Sequence, residues 1–257
     1  MKKCIWCFKT EESASFNDKA HTVPQSLGGK KICESVCDSC NHFFGEHSNG
    51  LPSIETVLKE AFNISRIILL HHKGEIGKNK IVKRPSSVYY DIDLKNWKVK
   101  PKAAYKLRPF FQQNLGRQLK KGIFKIFLEE TERVNKNGHD AKFDFIREFV
   151  RYNMGDHPIF YFEWLFAVIV PNDLTTFKDP QIRFEKDWRA EWLMEGCGFF
   201  EFEILHHTFA VPTTREHALM LDLYQRESKK IKKTTFREMR PIKYFTDMDI
   251  TFRFLKD

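Results

Sequence analysis

Two short cysteine pairs constrain the N-terminus of this 257-residue chain more than any other feature. Each pair has the form C-x-x-C, one at 4–7 and the other at 37–40, with 29 residues between them. Each such turn directs two thiolates at one point, so two turns complete a tetrahedral S4 site suited to zinc. A redox dithiol is the alternative, but such a pair normally stands alone beside a β-α-β pattern, which is missing here. We therefore predict a structural zinc ion held by Cys4, Cys7, Cys37 and Cys40.

The remaining cysteines and the overall composition narrow the class of protein. Six cysteines are too few for a disulfide scaffold in a chain of this length. We expect Cys33 and Cys197 to be small buried hydrophobic residues, although Cys33, four residues before Cys37, leaves a swapped ligand open. A hydrophobic share of 42% with 14% aromatic residues argues against a disordered chain, and the length allows a sizeable core.

No segment of the sequence predicts a membrane protein. The longest apolar run, at 159–170, is interrupted by Glu163, whereas a spanning helix needs about 20 apolar residues. The N-terminus, MKKCIWC, has no apolar stretch behind its lysines and so predicts no signal peptide. We expect a cytoplasmic protein with no membrane partner.

The net charge of +9 lies in one part of the chain. Residues 66–121 hold 15 Lys and Arg against three acidic residues, while the segments on either side are close to neutral. A charge concentrated in this way can neutralise the phosphates of a nucleic acid. The alternative is a lysine-rich surface that is simply solvated. The same two interpretations apply to a second basic cluster at 229–240. If the chain acts on nucleic acid, we expect the contacts to come from Lys80, Lys83, Arg84, Lys98, Lys100, Lys102, Lys106 and Arg108.

Hydrophobic periodicity beyond residue 51 predicts a mixed α+β body. Helices are predicted from Ser53, which is a candidate N-cap, along 115–127, along 143–155 and near 214–230. Short strands that carry basic residues outward are predicted between 80 and 108, aromatic strands at 159–170 and 198–211, and closing strands near 242–255. His71-His72 and His206-His207 lack ligand partners at useful spacing, so we interpret both pairs as structural.

The segment between and after the cysteine pairs carries a second pattern. Ala20-His21-Thr22-Val23-Pro24 leads into Ser26-Leu27-Gly28-Gly29, and the second pair runs directly into Asn41-His42. With its cysteines, the segment 4–51 resembles the HNH endonucleases of the ββα-metal fold, in the zinc-stapled branch with a C-x-x-C at either end. The series C-x-x-C, H-x-x-P, L-G-G and C-x-x-C-N is specific in its order and spacing, whereas no motif covers the chain beyond the helix that begins at Ser53.

The resemblance implies residue roles that suit phosphodiester hydrolysis. It assigns His21 as the general base that takes a proton from water, a task that neutral imidazole performs near pH 7. It assigns Asn41 as a ligand of a divalent ion, with His42 as a possible replacement, and oxygen ligands of this kind suit Mg²⁺ or Mn²⁺. Asn41 could instead cap a helix. We expect the side chains of Glu46 and His47 to be solvated. We expect Gly28-Gly29 to allow a tight turn.

The sequence departs from the family pattern in two places. Ala20 stands where an acidic residue usually precedes the general-base histidine and helps to bind the catalytic metal, and the segment 30–36 lacks the middle Asn of the motif. On a strand, Asp18 would project from the same face as residue 20, so we expect it as a possible oxygen ligand of the catalytic ion. Without such compensation, activity would be weak or absent.

These observations lead to one main interpretation and two alternatives. We expect an α+β chain with a zinc-stapled ββα-metal module at 1–75 and a mixed α+β body at 76–257. Its expected function is metal-dependent cleavage of nucleic acid, with DNA as the expected substrate. We expect the chain to act as a homodimer or with a protein partner. A role in restriction or anti-phage defence is compatible with this function. A zinc-stapled nucleic-acid-binding module that no longer cuts, and a zinc-stabilised interaction protein, remain open.

Overall fold

A computed structural model describes residues 1–47, 50–70, 86–93, 98–164, 180, 182–184, 196–232 and 236–250. The described α-helices are α1 (Asp38–Gly45), α2 (Ile54–Leu70), α3 (Pro109–Asn135), α4 (Asp144–Tyr152) and α5 (Leu221–Lys232). The described strands are β1 (Tyr90–Asp93), β2 (Lys98–Pro101), β3 (Phe160–Trp164), β4 (Ile182–Phe184), β5 (Phe199–Ile204), β6 (His207–Pro212) and β7 (Phe236–Pro241). This mixture of helices and antiparallel strands confirms the α+β class.

The N-terminal segment has the order of a ββα unit in a reduced form. His21 pairs with Ile32 in an isolated antiparallel bridge, flanked by backbone hydrogen bonds on either side. Between these partners, Gly28 adopts a left-handed φ of 87°, and a side chain at Gly29 would overlap the carbonyl of Val23. The two glycines therefore permit the tight return that the sequence predicts. Helix α1 follows and carries the second cysteine pair at its start.

Helices α2 and α3 connect the N-terminal segment to the body. Ser53 accepts a hydrogen bond from the Thr56 backbone N–H at 3.1 Å, which confirms it as the N-cap of α2. A side chain at Gly122 of α3 would overlap Leu58 of α2, so glycine lets the two helices approach closely. The predicted apolar face of α3 is buried throughout, at Leu115, Leu119, Ile123, Ile126 and Phe127.

A five-stranded antiparallel sheet, in the order β4-β5-β6-β3-β7, separates two apolar layers. Strand side chains alternate between its faces: Phe200 packs on Phe127 of α3 with ring centroids 5.6 Å apart, and Phe199 stacks on Tyr224 of α5 at 4.3 Å. The aromatic segment at 198–211 is a hairpin rather than one strand, because Leu205 and His206 turn the chain with positive φ.

Two sequence-based expectations about strands need correction. The last described strand is β7, which ends at Pro241, and the residues after it form a 3₁₀ turn at Phe245–Asp247, while 251–257 lie outside the described residues. The hairpin β1–β2 is not a uniformly basic face, because Lys98 stands opposite Asp93 and Lys100 opposite Asp91. Cross-strand pairing of opposite charges neutralises that surface, and alternation of apolar and basic residues in β2 alone does not reveal it.

The body and the N-terminal segment share one continuous apolar core. Buried side chains from the cysteine segment, from α2 and α3 and from one face of the sheet belong to a single cluster. Among the described helices, none is long and apolar enough to cross a membrane.

The core encloses His207, a histidine whose ionisation affects stability. His207 is fully buried, with Nε2 3.2 Å from Ser65 Oγ and Nδ1 3.3 Å from the Tyr161 hydroxyl. Burial lowers the pKa of His207 to about 3, and the like charge of His206 adds to the effect. In the unfolded chain the pKa is about 6.5, so the unfolded state binds more protons below that pH. The stability contributed by neutral His207 is complete above pH 6.5 and is lost as the pH falls toward 3.

We predict that His207→Asn reduces the acid sensitivity of folding. When the pH falls from 7 to 5, the buried imidazole lowers the free energy of unfolding of the parent chain by about 2 kcal/mol. The variant lacks this imidazole, so its free energy of unfolding should fall by about 2 kcal/mol less over the same pH range. The measurement is urea unfolding at both pH values. His206→Asn is the matched control, because Asn tolerates the φ of 62° at this partly exposed turn position, and loss of the smaller cause of the His207 shift should leave most of the pH dependence in place. Equal pH dependence in the two variants would contradict the prediction.

Candidate metal centre and neighbouring cleft

The structure brings the four predicted cysteines together. The Sγ atoms of Cys4, Cys7, Cys37 and Cys40 all lie within 4.8 Å of one another, and those of Cys7 and Cys37 are 3.6 Å apart. A tetrahedral zinc ion with Zn–S bonds of about 2.3 Å requires sulfur atoms about 3.8 Å apart. The quartet therefore fits zinc in both ligand type and spacing. No other group of three or more His, Cys, Asp or Glu side chains forms a comparable cluster within the described parts of the chain.

The surroundings of Cys4 favour the thiolate, which is the form that binds metal. The thiol of Cys40 donates to it and lowers the pKa of Cys4 to about 5, and the backbone N–H groups of Cys37, Cys7 and Trp6 act in the same direction against the effect of burial. The N–H of Cys37 lies 3.4 Å from Cys4 Sγ. Donors aimed at a sulfur stabilise its negative charge. Cys4 is thus favoured in the form that binds a cation.

The two C-x-x-C turns, here called the first knuckle (4–7) and the second knuckle (37–40), are joined to each other and to α4 by hydrogen bonds. The backbone N–H of Ile5 donates to the carbonyl of Ser35 at 2.8 Å, which joins the two knuckles. Arg147 of α4, only 3% exposed, donates to the Ile5 carbonyl at 2.6 Å and forms an ion pair with Asp144 at 2.7 Å. A buried guanidinium with several partners fixes the backbone between the metal ligands.

The two remaining cysteines lie apart from the quartet. Both Cys33 and Cys197 are buried, Cys33 in the main core and Cys197 on the far side of the sheet beside Tyr224. Burial raises the pKa of the Cys33 thiol, so this side chain stays protonated and acts as a small hydrophobic residue. The swapped-ligand alternative for Cys33 is therefore not supported.

Beside the quartet, an open cleft of about 410 Å³ brings together the predicted catalytic residues. His21 reaches it from the bridge with Ile32, and Asn41 and His42 reach it from the first turns of α1. The Nδ1 atom of His21 is buried and has no hydrogen-bond partner among the described residues. The full set of lining residues is Lys19, His21, Gln25, Asn41, His42, Gly45, Glu46 and Glu55.

Asp18 contacts His42 rather than lining the cleft. Its Oδ2 atom lies 2.8 Å from Nε2 of His42, and both side chains are about half exposed. The backbone N–H of Asp18 donates to Asp38 Oδ1 at 2.9 Å, a hydrogen bond that lowers the pKa of the Asp38 carboxyl. Residues 17–20 are not in a strand, so the alternation argument that placed Asp18 on the face of Ala20 does not hold. Ala20 itself is buried at 1% exposure.

Helix α3 presents buried charged side chains to the cysteine segment, and the sequence analysis missed them. Lys125 donates to the His21 carbonyl at 2.7 Å, Glu129 accepts from Trp6 Nε1 at 3.1 Å, and Glu132 accepts from Ser35 Oγ at 2.9 Å. The available signal was a Lys and a Glu at i, i+4 among the apolar positions of a long helix, which indicates a buried ion pair. That signal does not say what the pair contacts.

The basic segment is only partly a free surface. Lys98, Lys100, Lys106 and Arg108 are exposed, but Lys102 donates to the Ser87 carbonyl and lies 3.5 Å from Asp91. Two further lysines counted in the charge excess, Lys120 and Lys121, are buried against α4, where Lys120 pairs with Asp156. Lys80, Lys83 and Arg84 lie outside the described residues, as does the pair His71-His72.

Comparison with known proteins adds one finding. Residues 4–50 match the family model described as HNH endonuclease. Neither a curated protein nor a solved structure matches the chain. The matched residues coincide with the segment that contains the cysteine quartet, His21 and Asn41.

We predict that zinc binding depends on the quartet and not on Cys33. Cys37→Ser should lower the zinc content from about one ion per chain to near zero, because an uncharged hydroxyl is a poor zinc ligand. The measurement is the metal content of the purified protein by mass spectrometry. Cys33→Ala is the matched control, a neighbouring buried cysteine outside the quartet, and should retain zinc. Loss of zinc in this control with retention in Cys37→Ser would reverse the assignment.

Proposed function

We propose, since residues 4–50 match the HNH endonuclease family model, that this chain hydrolyses phosphodiester bonds of DNA with the help of a divalent ion. The observation that carries the proposal is that His21, Asn41 and His42 line one open cleft beside the cysteine quartet. These residues come from the two parts of the segment that the quartet joins. The proposed function thus uses the cleft for chemistry and the quartet for structure.

The proton step would take place at His21. Because Nδ1 is buried, Nε2 is the nitrogen that can accept a proton from water in the cleft. The oxygen of that water forms a bond to phosphorus, the bond from phosphorus to the 3′-oxygen breaks on the opposite side, and a solvent water protonates the departing oxygen. Lys19, which also lines the cleft, would attract the phosphate.

Asn41 and His42 would hold the divalent ion at the start of α1. Bound there, Mg²⁺ or Mn²⁺ would stabilise the negative charge that develops on the leaving oxygen. Asp18 would act through His42, because a carboxylate bonded to one ring nitrogen orients the imidazole and leaves the other nitrogen for a metal. The acid missing at Ala20 would then be replaced by an imidazole that a carboxylate orients.

The body at 76–257 would bind the nucleic-acid backbone next to the N-terminal module at 1–75. Among the described members of the predicted nucleic-acid-binding set, Lys98, Lys100, Lys106 and Arg108 are exposed. Lys106 and Arg108 precede α3 and lie outside the charge-paired hairpin, so their charge is available to phosphates. One cleft per chain would nick one strand, and cutting both strands would need a second copy or a second binding event.

A second candidate function is a nucleic-acid-binding module that no longer cuts. The observation in its favour is Ala20, which is buried and offers no oxygen where the family usually supplies an acid. The two candidates differ in their need for a divalent ion, because binding through the basic residues requires none.

We predict that the chain nicks supercoiled plasmid with Mg²⁺ or Mn²⁺ and that His21→Ala lowers the rate at least about 100-fold, as expected for loss of a general base. Asn41→Ala should lower the rate and raise the Mg²⁺ concentration required for half-maximal cleavage. His47→Ala is the matched control, an exposed histidine just beyond α1 that does not line the cleft, and should keep full activity.

EDTA should stop cleavage and added Mg²⁺ should restore it, which separates the divalent ion from the quartet zinc. If neither the parent chain nor any variant cuts, yet all of them shift plasmid on a gel at low salt, the binding module replaces the endonuclease as the proposed function. If the His21 variant cuts as fast as the parent chain, the assignment of the base is wrong.

We predict that Lys106→Ala with Arg108→Ala lowers the salt dependence of DNA binding. Each phosphate contact contributes about 0.9 to the slope of log K against log salt, so the slope should fall by about 2. Fluorescence anisotropy with a labelled duplex between 50 and 200 mM salt measures it. Lys142→Ala with Lys230→Ala is the matched control, because these lysines already pair with Asp140 at 3.6 Å and Glu227 at 2.9 Å. Equal slopes in both double variants would contradict this docking surface.

A further inference from the structure

Lys125 places a positive charge in an unusual position directly beneath the cleft. Its side chain is fully buried, and its ammonium donates to the His21 carbonyl at 2.7 Å and to Glu129 Oε2 at 2.9 Å. The same nitrogen lies 4.0 Å from Glu55 Oε1, and Glu55 lines the cleft. The ammonium also lies 5.1 Å from the ring centre of Phe44 in α1. One atom of the body thus lies close to the hairpin, to α1 and to α2, each of which contributes residues to the cleft.

A buried charge of this kind needs compensation, which Glu129 supplies. Glu129 is fully buried, and its other oxygen accepts the indole N–H of Trp6 at 3.1 Å. Trp6 lies between Cys4 and Cys7 and packs edge-on against Phe44 with ring centroids 5.1 Å apart. The ion pair therefore joins the backbone of His21 to the first cysteine pair through three hydrogen bonds, of which the two that involve Glu129 are buried and the one to His21 is partly buried. Interactions in such surroundings are stronger than at a surface.

The hairpin that carries His21 has a very short backbone ladder. It is paired through one bridge, with the Thr22 N–H donating to Lys31 at 3.0 Å and the Cys33 N–H donating to Ala20 at 2.9 Å. So short a ladder is marginal by itself, and the hairpin depends on packing, with Ala20, Thr22 and Val23 buried on either side of His21. A hydrogen bond from helix α3 to the carbonyl of residue 21 fixes the backbone at the residue that faces the cleft. Small displacements of a catalytic group cost large factors in rate.

We propose that Lys125 is a positioning residue for His21, which it holds at the cleft through the backbone carbonyl, with Glu129 as the counter-charge that allows the ammonium to be buried. This inference rests on the proposed function in that His21 is the group whose placement matters. It extends that function by making the site dependent on helix α3, far along the chain from the matched segment.

The test compares Lys125→Met with a matched variant of the same helix, Lys121→Met. Lys121 is also a buried lysine, but it faces α4, with its ammonium 5.9 Å from the centre of the Phe149 ring. We expect Lys125→Met to lower kcat about 10- to 100-fold with KM changed less than twofold, because positioning acts on the reaction and not on DNA binding. Lys121→Met should leave both constants near those of the parent chain.

A double variant separates positioning from charge balance. Lys125→Met alone leaves Glu129 buried without its partner and is expected to destabilise the fold. Lys125→Met with Glu129→Gln removes both charges and keeps an acceptor for Trp6, so stability and zinc content should return toward those of the parent chain. Under the proposal, kcat stays low in this double variant. Recovery of kcat together with stability would overturn the proposal and reduce Lys125 to a counter-charge for Glu129.

Hydrogen exchange gives a readout that does not depend on cleavage. In the double variant the amides of Thr22 and Cys33 should exchange at least tenfold faster than in the parent chain, while Lys121→Met should leave them unchanged. If the parent chain does not cut DNA, the proposed function fails. The exchange rates of these two amides then still test whether Lys125 holds the backbone of His21 in place. Unchanged exchange at both amides would refute the inference.

Discussion

The contact on which the rest of this structure depends is the one between helix α3 and the cysteine segment. The segment contains little regular secondary structure and presents polar groups to α3, including the buried indole N–H of Trp6 and the partly buried carbonyl of His21. Polar groups that are removed from water need hydrogen-bond partners, and the body supplies them. Lys125, Glu129 and Glu132 do so from one side of one helix, and the apolar core continues across the same boundary. The N-terminal segment and the body are therefore physically coupled.

Under the proposed function, the quartet and the cleft divide two tasks between neighbouring sites. Four sulfur atoms bound to zinc would hold the start of α1 against the first cysteine pair, which is a structural task that needs a closed, four-ligand site. The cleft is open and lined by polar side chains from the hairpin, α1 and α2. An open site with nitrogen and oxygen donors suits a hydrated divalent ion and a phosphate. Because both sites share α1, the geometry of one determines the geometry of the other.

Much of the site was predictable because its chemistry is local. Two C-x-x-C turns aim their thiolates through local geometry. His21, between the two pairs, and Asn41, directly after the second pair, line one cleft beside the quartet. Asp18 shows the limit of such reasoning. We placed Asp18 on the face of residue 20 because we expected a strand there. The chain at 17–20 is irregular, and the carboxylate of Asp18 contacts His42 in α1 instead. The basic hairpin shows the same limit, since Lys98 and Lys100 face aspartates across the ladder.

The sequence alone thus determined the ligand set of the quartet, the helices with a clear apolar face and the pair of residues proposed to act in hydrolysis. Each of these depends on spacing along the chain, which periodicity and turn geometry translate into position. Only the tertiary structure decided that Lys120, Lys121 and Lys125 are buried, that a glutamate balances one of them and that an ammonium from α3 reaches His21. The physical reason is that the cost of burying a charge depends on its partners, and these partners are brought together across more than 100 residues by packing.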